Sequence, residues 1–456
     1  MERTKKLGLG SAVSVCVGLI VATSCLLSLG QGMGLAGKNF IIALFVVLIL
    51  NGFLALSFSE LHSMMPKAEG GLGQYTLVGL GPVASMVSTL SAYVIVDILS
   101  GSVEIAMCGT VLNQIFLPQI PAPVISVIVL GVLSYVNYKG VDFFARIQNI
   151  VVFLLLASFL LMGIISFFHL GTGEIVTAAQ QTKPQVTGIG GIVSLSALAF
   201  WLFIGIEFVI PVSKDLKNPK RDVLLAMIIG IVVLFGVQAL LGVGMTQYVT
   251  LQELASNPMP HMLFAQRCMG QAGVYWMGIV TLLAGISTVN TVLGGIPNIL
   301  SGMAENDLFP KAFQQKNKYG VPAAGIGLLS GGITALIVTG FTQSSGLTNI
   351  ILAASCFWLT SYIMVNITVL VLRRRYPDAE GRNKKLVLLG IPQVICIIGD
   401  IYMIFNIAEG DARILIYKIF ATLLLALIAF SVIWVKGIKK MGTVECPEMQ
   451  TVNTLA

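Results

Sequence analysis

Charged side chains are scarce in this chain: Asp, Glu, Lys and Arg make up only 10% of its 456 residues. A soluble domain of ordinary composition carries about 25%. Long polar stretches are also missing, and apolar segments of roughly 20 residues, the length that crosses a hydrocarbon core of about 30 Å, recur along the sequence. The segments do not alternate as the strands of a membrane β-barrel do. These absences exclude a soluble globular protein and indicate an all-α polytopic membrane protein.

Residues that commonly hold metals or form disulfide bonds are few and scattered. The seven cysteines and three histidines show no spacing typical of a metal site or of a disulfide framework. No nucleotide-binding loop of the G-x-x-x-x-G-K-S/T type is present, and the basic residues form no clustered face. We therefore expect no metal, no cofactor, no nucleic-acid partner and no enzymatic activity.

Twelve apolar segments are predicted to span the membrane. With both termini in the cytoplasm, most of the 27 lysine and arginine residues fall in cytoplasmic loops, as the positive-inside rule requires. The single glycosylation sequon, Asn366-Ile367-Thr368, lies within a segment, which favours a bacterial source and hence the bacterial inner membrane as the plasma membrane concerned. The predicted segments are residues 10–34, 40–62, 82–116, 121–138, 144–169, 188–212, 222–247, 272–302, 321–341, 347–372, 386–407 and 413–436.

The sixth segment contains the most informative pattern in the sequence. Its apolar run is interrupted at Gly205-Ile206-Glu207 and is followed by the basic sequence KDLKNPKR at 214–221. An acid within a membrane helix is costly and usually serves a function. A broken helix at that depth is tolerated only where protein or a water-filled cavity satisfies the freed backbone groups. The first segment is also interrupted, and such pairs are typical of the binding sites of transporters.

Five short motifs resemble those of the amino acid–polyamine–organocation (APC) transporters. They occur in the order and at the spacing of that family, from the second segment to the loop after the eighth. The resemblance points to the bacterial amino acid permease type within this superfamily. The motifs are ALSFSEL at 55–61, EGGLGQY at 69–75, FWLFIGIE at 200–207, KDLKNPKR at 214–221 and SGMAENDLFP at 301–310.

The resemblance implies a leucine-transporter-like fold with a 5+5 inverted repeat and twelve transmembrane helices. The ten-helix transport core would comprise residues 1–372, with helices one to five at about 10–169 and helices six to ten at about 188–372. Two accessory helices would follow at 373–440, and a short cytoplasmic tail at 441–456. In this fold the first and sixth helices are unwound near the middle of the membrane. Substrate lies between them and faces the third, eighth and tenth helices.

The resemblance also implies which residues bind substrate. Backbone amides of the first break would hold a substrate carboxylate, because a helix N-terminus concentrates unpaired N–H groups and a positive dipole. The family's glycine-rich break is replaced here by Ala22-Thr23-Ser24, so this contact is expected to be altered, or these small residues serve helix packing. Trp201 would cover the substrate. The expected substrate-binding residues at the two breaks are Ala22, Thr23, Ser24, Cys25, Phe200, Trp201, Ile204, Gly205 and Ile206.

Three acids within the membrane segments complete the predicted site. Asp97 and Glu104 lie seven residues apart in the third segment, which brings them onto nearly one helix face. We expect Asp97 to meet a substrate ammonium group and Glu104 to act nearer the outer end, where substrate enters. Each could instead be a neutral acid hydrogen-bonded to neighbours such as Ser100. Glu207 is expected to gate the site or carry protons, or to hold the unwound loop.

The sequence therefore predicts a secondary active transporter that moves an amino acid by alternating access. Coupling to protons and exchange of substrates both remain open, since the lysine that many APC members carry in the fifth helix corresponds to a position near Leu155. An amine or polyamine carrier is the alternative within this class, and a membrane solute sensor is the alternative outside it. The expected partners are a small-molecule substrate and the lipid bilayer, and the oligomeric state is open.

Overall fold

The computed structural model describes residues 7–442 except 19, 67, 69–70, 141–142, 344–345, 378 and 380–389. The predicted tail at 441–456 lies outside the described residues from 443 onward, and Glu69 and Gly70 of the second motif also lie outside them. Within the described residues the chain is helical and forms no β-strand. Its α-helices are α1 (Leu9–Gly18), α2 (Thr23–Ala36), α3 (Phe40–Met64), α4 (Leu72–Leu80), α5 (Pro82–Leu90), α6 (Val96–Ile115), α7 (Ala122–Tyr138), α8 (Phe143–Phe167), α9 (Gly188–Ser194), α10 (Ser196–Phe200), α11 (Pro219–Tyr248), α12 (Leu251–Ser256), α13 (Pro260–Glu305), α14 (Ala323–Val338), α15 (Leu347–Arg375), α16 (Ile391–Phe405) and α17 (Gly410–Val432).

Helical stretches that can cross a membrane follow the predicted segments. Four shorter apolar helices, α1, α7, α14 and α16, accompany the longer ones. The count of twelve spans stays a prediction, because these four are shorter than a hydrocarbon core of about 30 Å requires. Eight stretches of the described residues are long and apolar enough: Thr23–Met64, Pro82–Ile115, Ile150–Phe167, Gly188–Val209, Pro219–Tyr248, Pro260–Glu305, Leu347–Arg375 and Gly410–Ile438.

Large apolar side chains cover the outside of the helical bundle. Phe153 on α8 is 69% exposed, Ile398 on α16 is 62% exposed and Leu425 on α17 is 66% exposed. A soluble protein rarely leaves so many large apolar residues in water. In a bilayer these side chains face lipid tails, so the polar and charged residues within the bundle are the ones that require an explanation.

The first segment is interrupted between α1 and α2, at residues 20–22, which we call the first break. Ala22 is extended, with φ −110° and ψ 160°. Ile20 and Val21 are β-branched, which lowers helix propensity locally. The break lies earlier than the sequence indicated, because Thr23, Ser24 and Cys25 already form the first turn of α2.

The sixth segment is interrupted over residues 201–209, which we call the second break. After α10 the chain forms two short 3₁₀ turns, Trp201–Phe203 and Ile206–Val209. Between them Gly205 adopts φ 102° and ψ 17°, a left-handed conformation that only glycine adopts without strain. The predicted interruption at Gly205 therefore has a direct backbone cause.

The two breaks lie against each other inside the bundle. The Trp201 indole N–H donates a hydrogen bond of 2.8 Å to the Ser24 hydroxyl oxygen. The Cys25 thiol lies 3.6 Å from the Trp201 carbonyl oxygen, and the Cys16 thiol lies 3.5 Å from the Ile206 carbonyl oxygen. Side chains of α1 and α2 that flank the first break thus contact the second break.

A polar network connects α16 to helices α3 and α15. The Arg373 Nε donates to Glu60 over 2.9 Å, and the Arg373 Nη1 donates to the Gln393 side-chain oxygen over 3.2 Å. The Gln393 amide donates to Ser57 over 3.0 Å, and Ser57 donates to Asn366 over 2.8 Å. These partners satisfy Glu60 away from the breaks, which gives this acid a structural explanation.

Candidate substrate-binding site

A cavity of about 330 Å³ lies beside the two breaks. This volume falls in the range of sites for small organic molecules. Side chains from the first turn of α2, from α6, α13 and α15 and from the second break form its wall. A larger cleft of about 1190 Å³ lies between α6, α7, α13 and α14, but no charged residue of the described chain lines it. The smaller cavity is therefore the candidate site.

The structure brings most of the predicted site residues to this cavity and leaves four outside its wall. Thr23 is buried beside it, and its hydroxyl donates to the Thr281 carbonyl oxygen over 3.1 Å. Phe200 packs edge-on against Tyr362 with ring centroids 5.8 Å apart. Gly205 and Ile206 also lie behind the lining. The predicted residues that line the cavity are Ala22, Ser24, Cys25, Asp97, Glu104, Trp201, Ile204 and Glu207.

Glu104 binds the N-terminus of α2. One carboxylate oxygen accepts from the Thr23 backbone N–H over 3.1 Å, and the other accepts from the Ser24 N–H over 2.9 Å. The first N–H groups of a helix have no partner within the helix, and its dipole favours a negative charge at this end. Glu104 is fully buried, and this contact lies inside the bundle. Its partners are these amides rather than Ser100.

Asp97 also lines the cavity but, unlike Glu104, has no partner among the described residues. It lies two helical turns before Glu104 on α6, and both carboxyls reach the same cavity, as their spacing predicted. Asp97 is 8% exposed and makes no hydrogen bond or ion pair with any residue that the structure describes. Its carboxyl group is therefore available to a molecule in the cavity.

Within the second break, Glu207 is connected to Gly205 through Tyr362. The Tyr362 hydroxyl donates to one Glu207 carboxylate oxygen over 2.7 Å and accepts from the Gly205 N–H over 3.2 Å. Among the described residues the other oxygen of Glu207 has no hydrogen-bond partner. This arrangement connects Glu207 to the unwound backbone, in keeping with the expectation that it holds that loop, and leaves the other oxygen buried.

Aromatic residues that the sequence did not single out close the cavity. Tyr93, Phe208 and Trp358 join Trp201 in its wall. The Tyr93 ring centroid lies 5.8 Å from that of Phe208 and 6.3 Å from that of Trp358. Tyr93 belongs to a π-helical turn, Ser91–Ile95, that precedes α6; such turns often occur at functional sites. Aromatic residues are too common in membrane segments for sequence alone to select these.

The eighth segment carries a stripe of polar residues, Ser287, Thr288, Asn290 and Thr291, whose members have different surroundings in the structure. Thr288 and Thr291 line the cavity. Asn290 instead accepts a hydrogen bond of 2.8 Å from the Asn137 side chain on α7. Only part of this stripe can therefore contact a substrate, and which part was not evident from the sequence because neighbouring positions face different helices.

Sequence comparison places the chain beside known membrane transporters. The model of the family described as "Amino acid permease" matches residues 7–434. The branched-chain amino acid permease BcaP of Bacillus subtilis (strain 168) is 24% identical over 441 residues, which cover 88% of each chain. The arginine/ornithine antiporter of Latilactobacillus sakei is 26% identical over 355 residues, which cover 71% of this chain and 72% of that one.

A solved structure shows the same fold. The manganese transporter of Eremococcus coleocola, crystallised with an aromatic bis-isothiourea substituted compound, aligns with a TM-score of 0.59. The alignment covers 94% of both chains at 14% sequence identity. At this identity the likeness shows the fold alone, and it confirms the predicted leucine-transporter-like fold class.

Proposed function

Because the chain belongs to the amino acid permease family, we propose that it carries an amino acid, or an amine closely related to one, across the cell membrane by alternating access. The chain is a multi-pass membrane protein and a secondary transporter, not an enzyme. The relatives that match over most of its length are permeases and an antiporter. Orientation with both termini in the cytoplasm is part of the proposal and rests on the distribution of basic residues.

The cavity beside the two breaks is the observation that carries this proposal. Broken helices inside a membrane expose backbone groups that can bind polar parts of a solute. Here the cavity contains an unpaired carboxyl group, Asp97, together with aromatic faces. An ammonium group is the part of an amino acid or amine that such a surface attracts, because acids and aromatic rings both favour cations.

Individual residues take distinct roles in this proposal. Asp97 binds the substrate ammonium group, and Trp201 covers the substrate while its indole hydrogen bond joins the two breaks. Glu207 and Tyr362 transmit the state of the cavity to the backbone at Gly205. A change in that backbone would tilt the second half of the sixth helix, which is the kind of hinge movement that alternating access requires.

Transport in proteoliposomes tests the proposal. Purified protein is reconstituted, and uptake of labelled amino acids and amines is measured with an inward proton gradient, and separately with unlabelled substrate loaded inside. Uptake driven by the gradient indicates proton coupling, whereas uptake that requires internal substrate indicates exchange.

Protein-free liposomes and an Asp400→Asn variant serve as controls. Asp400 is a buried acid on α16 that does not line the cavity, so this variant retains the flux of the wild type. If a monodisperse wild-type protein gives no flux above protein-free liposomes under either condition, the proposed function is rejected.

A further inference from the structure

The anion-binding end of α2 is already occupied by a side chain of this protein. The two amides that point out of the first turn, those of Thr23 and Ser24, each donate to a different oxygen of Glu104. A substrate carboxylate at this helix end would need the same two N–H groups. Glu104 therefore stands, in chemical terms, where the carboxylate of an amino acid would bind.

Glu104 is enclosed on the side away from the cavity. Its side chain is fully buried, and α13 approaches it at Gly285. A Cβ atom built at Gly285 would lie 3.5 Å from the Glu104 Oε2 and 2.5 Å from the Cys108 sulfur. The close approach of α13 leaves Glu104 little room to turn away from the amides, and turning away would leave two buried N–H groups without partners.

The charged groups that line the cavity also disfavour a substrate that carries a carboxylate. Three carboxyl groups, those of Asp97, Glu104 and Glu207, line it, and no lysine, arginine or histidine is found among its described lining residues. A zwitterion would bring a fourth carboxyl group into this wall, where no cationic side chain is found among the described lining residues and where Glu104 already occupies the Thr23 and Ser24 amides. A molecule whose only charge is an ammonium group faces no such cost, and the aromatic rings add to its attraction.

We propose that Glu104 is a built-in carboxylate that occupies the N-terminus of α2, and that the preferred substrate is an organic amine without a free carboxylate. The ammonium group of this amine faces Asp97 and the aromatic wall, while its apolar part fills the rest of the cavity. The inference rests on the proposed transport function and specifies the substrate class of the same site.

Matched pairs of amino acids and their decarboxylated amines test the inference in wild-type proteoliposomes. Suitable pairs are leucine with isopentylamine, phenylalanine with phenethylamine, lysine with cadaverine and arginine with agmatine. For at least one pair, we expect the amine to be taken up or to compete at a concentration at least tenfold lower than its amino acid. If amino acids are transported and their amines neither enter nor compete, transport stands and the inference is overturned. If neither member of any pair acts, the proposed function fails and the inference fails with it.

A Glu104→Ala variant gives a second readout that a purely structural role would not produce. Removing the side chain frees the two amides, so the preference for amine over amino acid should shrink at least tenfold or reverse. Millimolar formate or acetate should restore amine preference by rebinding at the freed amides.

The Asp400→Asn variant keeps the wild-type preference and is the matched control. A monodisperse Glu104→Ala protein with an unchanged ratio and no response to formate overturns the role of Glu104. If that variant is not obtained in folded form, the wild-type pair comparison decides the inference.

Discussion

The two helix breaks solve the same physical problem in different ways. Each frees backbone N–H groups inside a membrane, where an unpaired group is costly. At the first break, a carboxylate from α6, Glu104, binds the amides of Thr23 and Ser24. At the second break, a neutral hydroxyl, that of Tyr362, accepts from the Gly205 amide and donates to Glu207.

The two breaks therefore differ in whether the acid beside them has an oxygen without a hydrogen-bond partner. The first break has its helix end filled by an ionisable group that uses both oxygens on backbone amides. At the second break, Glu207 uses one oxygen on Tyr362 and keeps the other without a partner among the described residues. The anion-binding end of α2 is thus occupied, while the carboxyl group of Asp97 in the cavity wall has no partner among the described residues.

Removal of the Asp97 charge is expected to have the largest effect, because this carboxyl group is the one proposed to bind the substrate ammonium group directly. In Asp97→Asn, an ion–ammonium contact worth about 1.5–3 kcal/mol is lost, which corresponds to roughly 10- to 150-fold in Kd. At a substrate concentration well below the wild-type KM, uptake should fall by roughly the same factor while the protein remains folded, since Asp97 has no partner among the described residues. Wild-type uptake by Asp97→Asn, beside an active Asp400→Asn control, would contradict the assignment.

Loss of the Tyr362 hydroxyl should remove both hydrogen bonds by which it connects Gly205 to Glu207. Tyr362→Phe leaves the Gly205 N–H and one Glu207 oxygen buried without a partner, at a cost of about 1–3 kcal/mol. We expect a lower melting temperature and slower uptake. The matched control is Tyr417→Phe, which removes a hydroxyl that donates to the Ile404 carbonyl oxygen over 2.8 Å outside the cavity. Equal effects of the two variants on uptake would remove Tyr362 from the transport mechanism.

A side chain at Gly205 should strain the second break. The left-handed φ of 102° costs a non-glycine residue about 1–2 kcal/mol, and a Cβ atom there would lie 3.1 Å from the Phe208 ring. Gly205→Ala should therefore lower stability and the rate of uptake. Gly236→Ala on α11 adds a methyl group where no atom lies within 4 Å, and it should leave stability equal or slightly higher. A Gly205→Ala protein as stable as that control would argue against the strained turn.

The contact between the two breaks should contribute least. Trp201→Phe removes the 2.8 Å hydrogen bond to Ser24 but keeps an aromatic cover over the cavity, so a loss of about 1 kcal/mol is expected. The prediction is a several-fold increase in the apparent KM for uptake. Trp434→Phe, which removes an indole hydrogen bond to the Asp307 carbonyl oxygen outside the cavity, should not change KM. A Trp201→Phe protein with unchanged KM would show that the two breaks act independently.

Several parts of the site could be predicted from the sequence because they depend on local properties. The glycine at 205 and the acid at 207 mark a break wherever an apolar segment carries them, since backbone conformation and the cost of burying a charge are decided locally. The seven-residue spacing of Asp97 and Glu104 follows from the helical period, and both acids do face one cavity. The motif resemblance supplied the expectation that the first and sixth helices meet.

Other parts of the site could not be predicted. The aromatic wall of Tyr93, Phe208 and Trp358 depends on which faces of three separate helices turn inward. The first break was placed late, at Ala22 to Cys25, because the glycine nearest to it, Gly18, still belongs to α1 and the end of the break is defined by where α2 begins. Thr288 and Asn290 lie two residues apart, yet only Thr288 lines the cavity.

The sequence by itself determined that this protein is a helical membrane transporter with a broken sixth helix, because hydropathy and glycine geometry are properties of short stretches of chain. Only the tertiary structure decided what the acids do. Glu104 contacts Thr23 and Ser24 across 81 and 80 positions of the chain, and no local pattern specifies such a pairing. It arises from the packing of α6 and α13 against the N-terminus of α2, where Glu104 caps the helix that was expected to bind substrate.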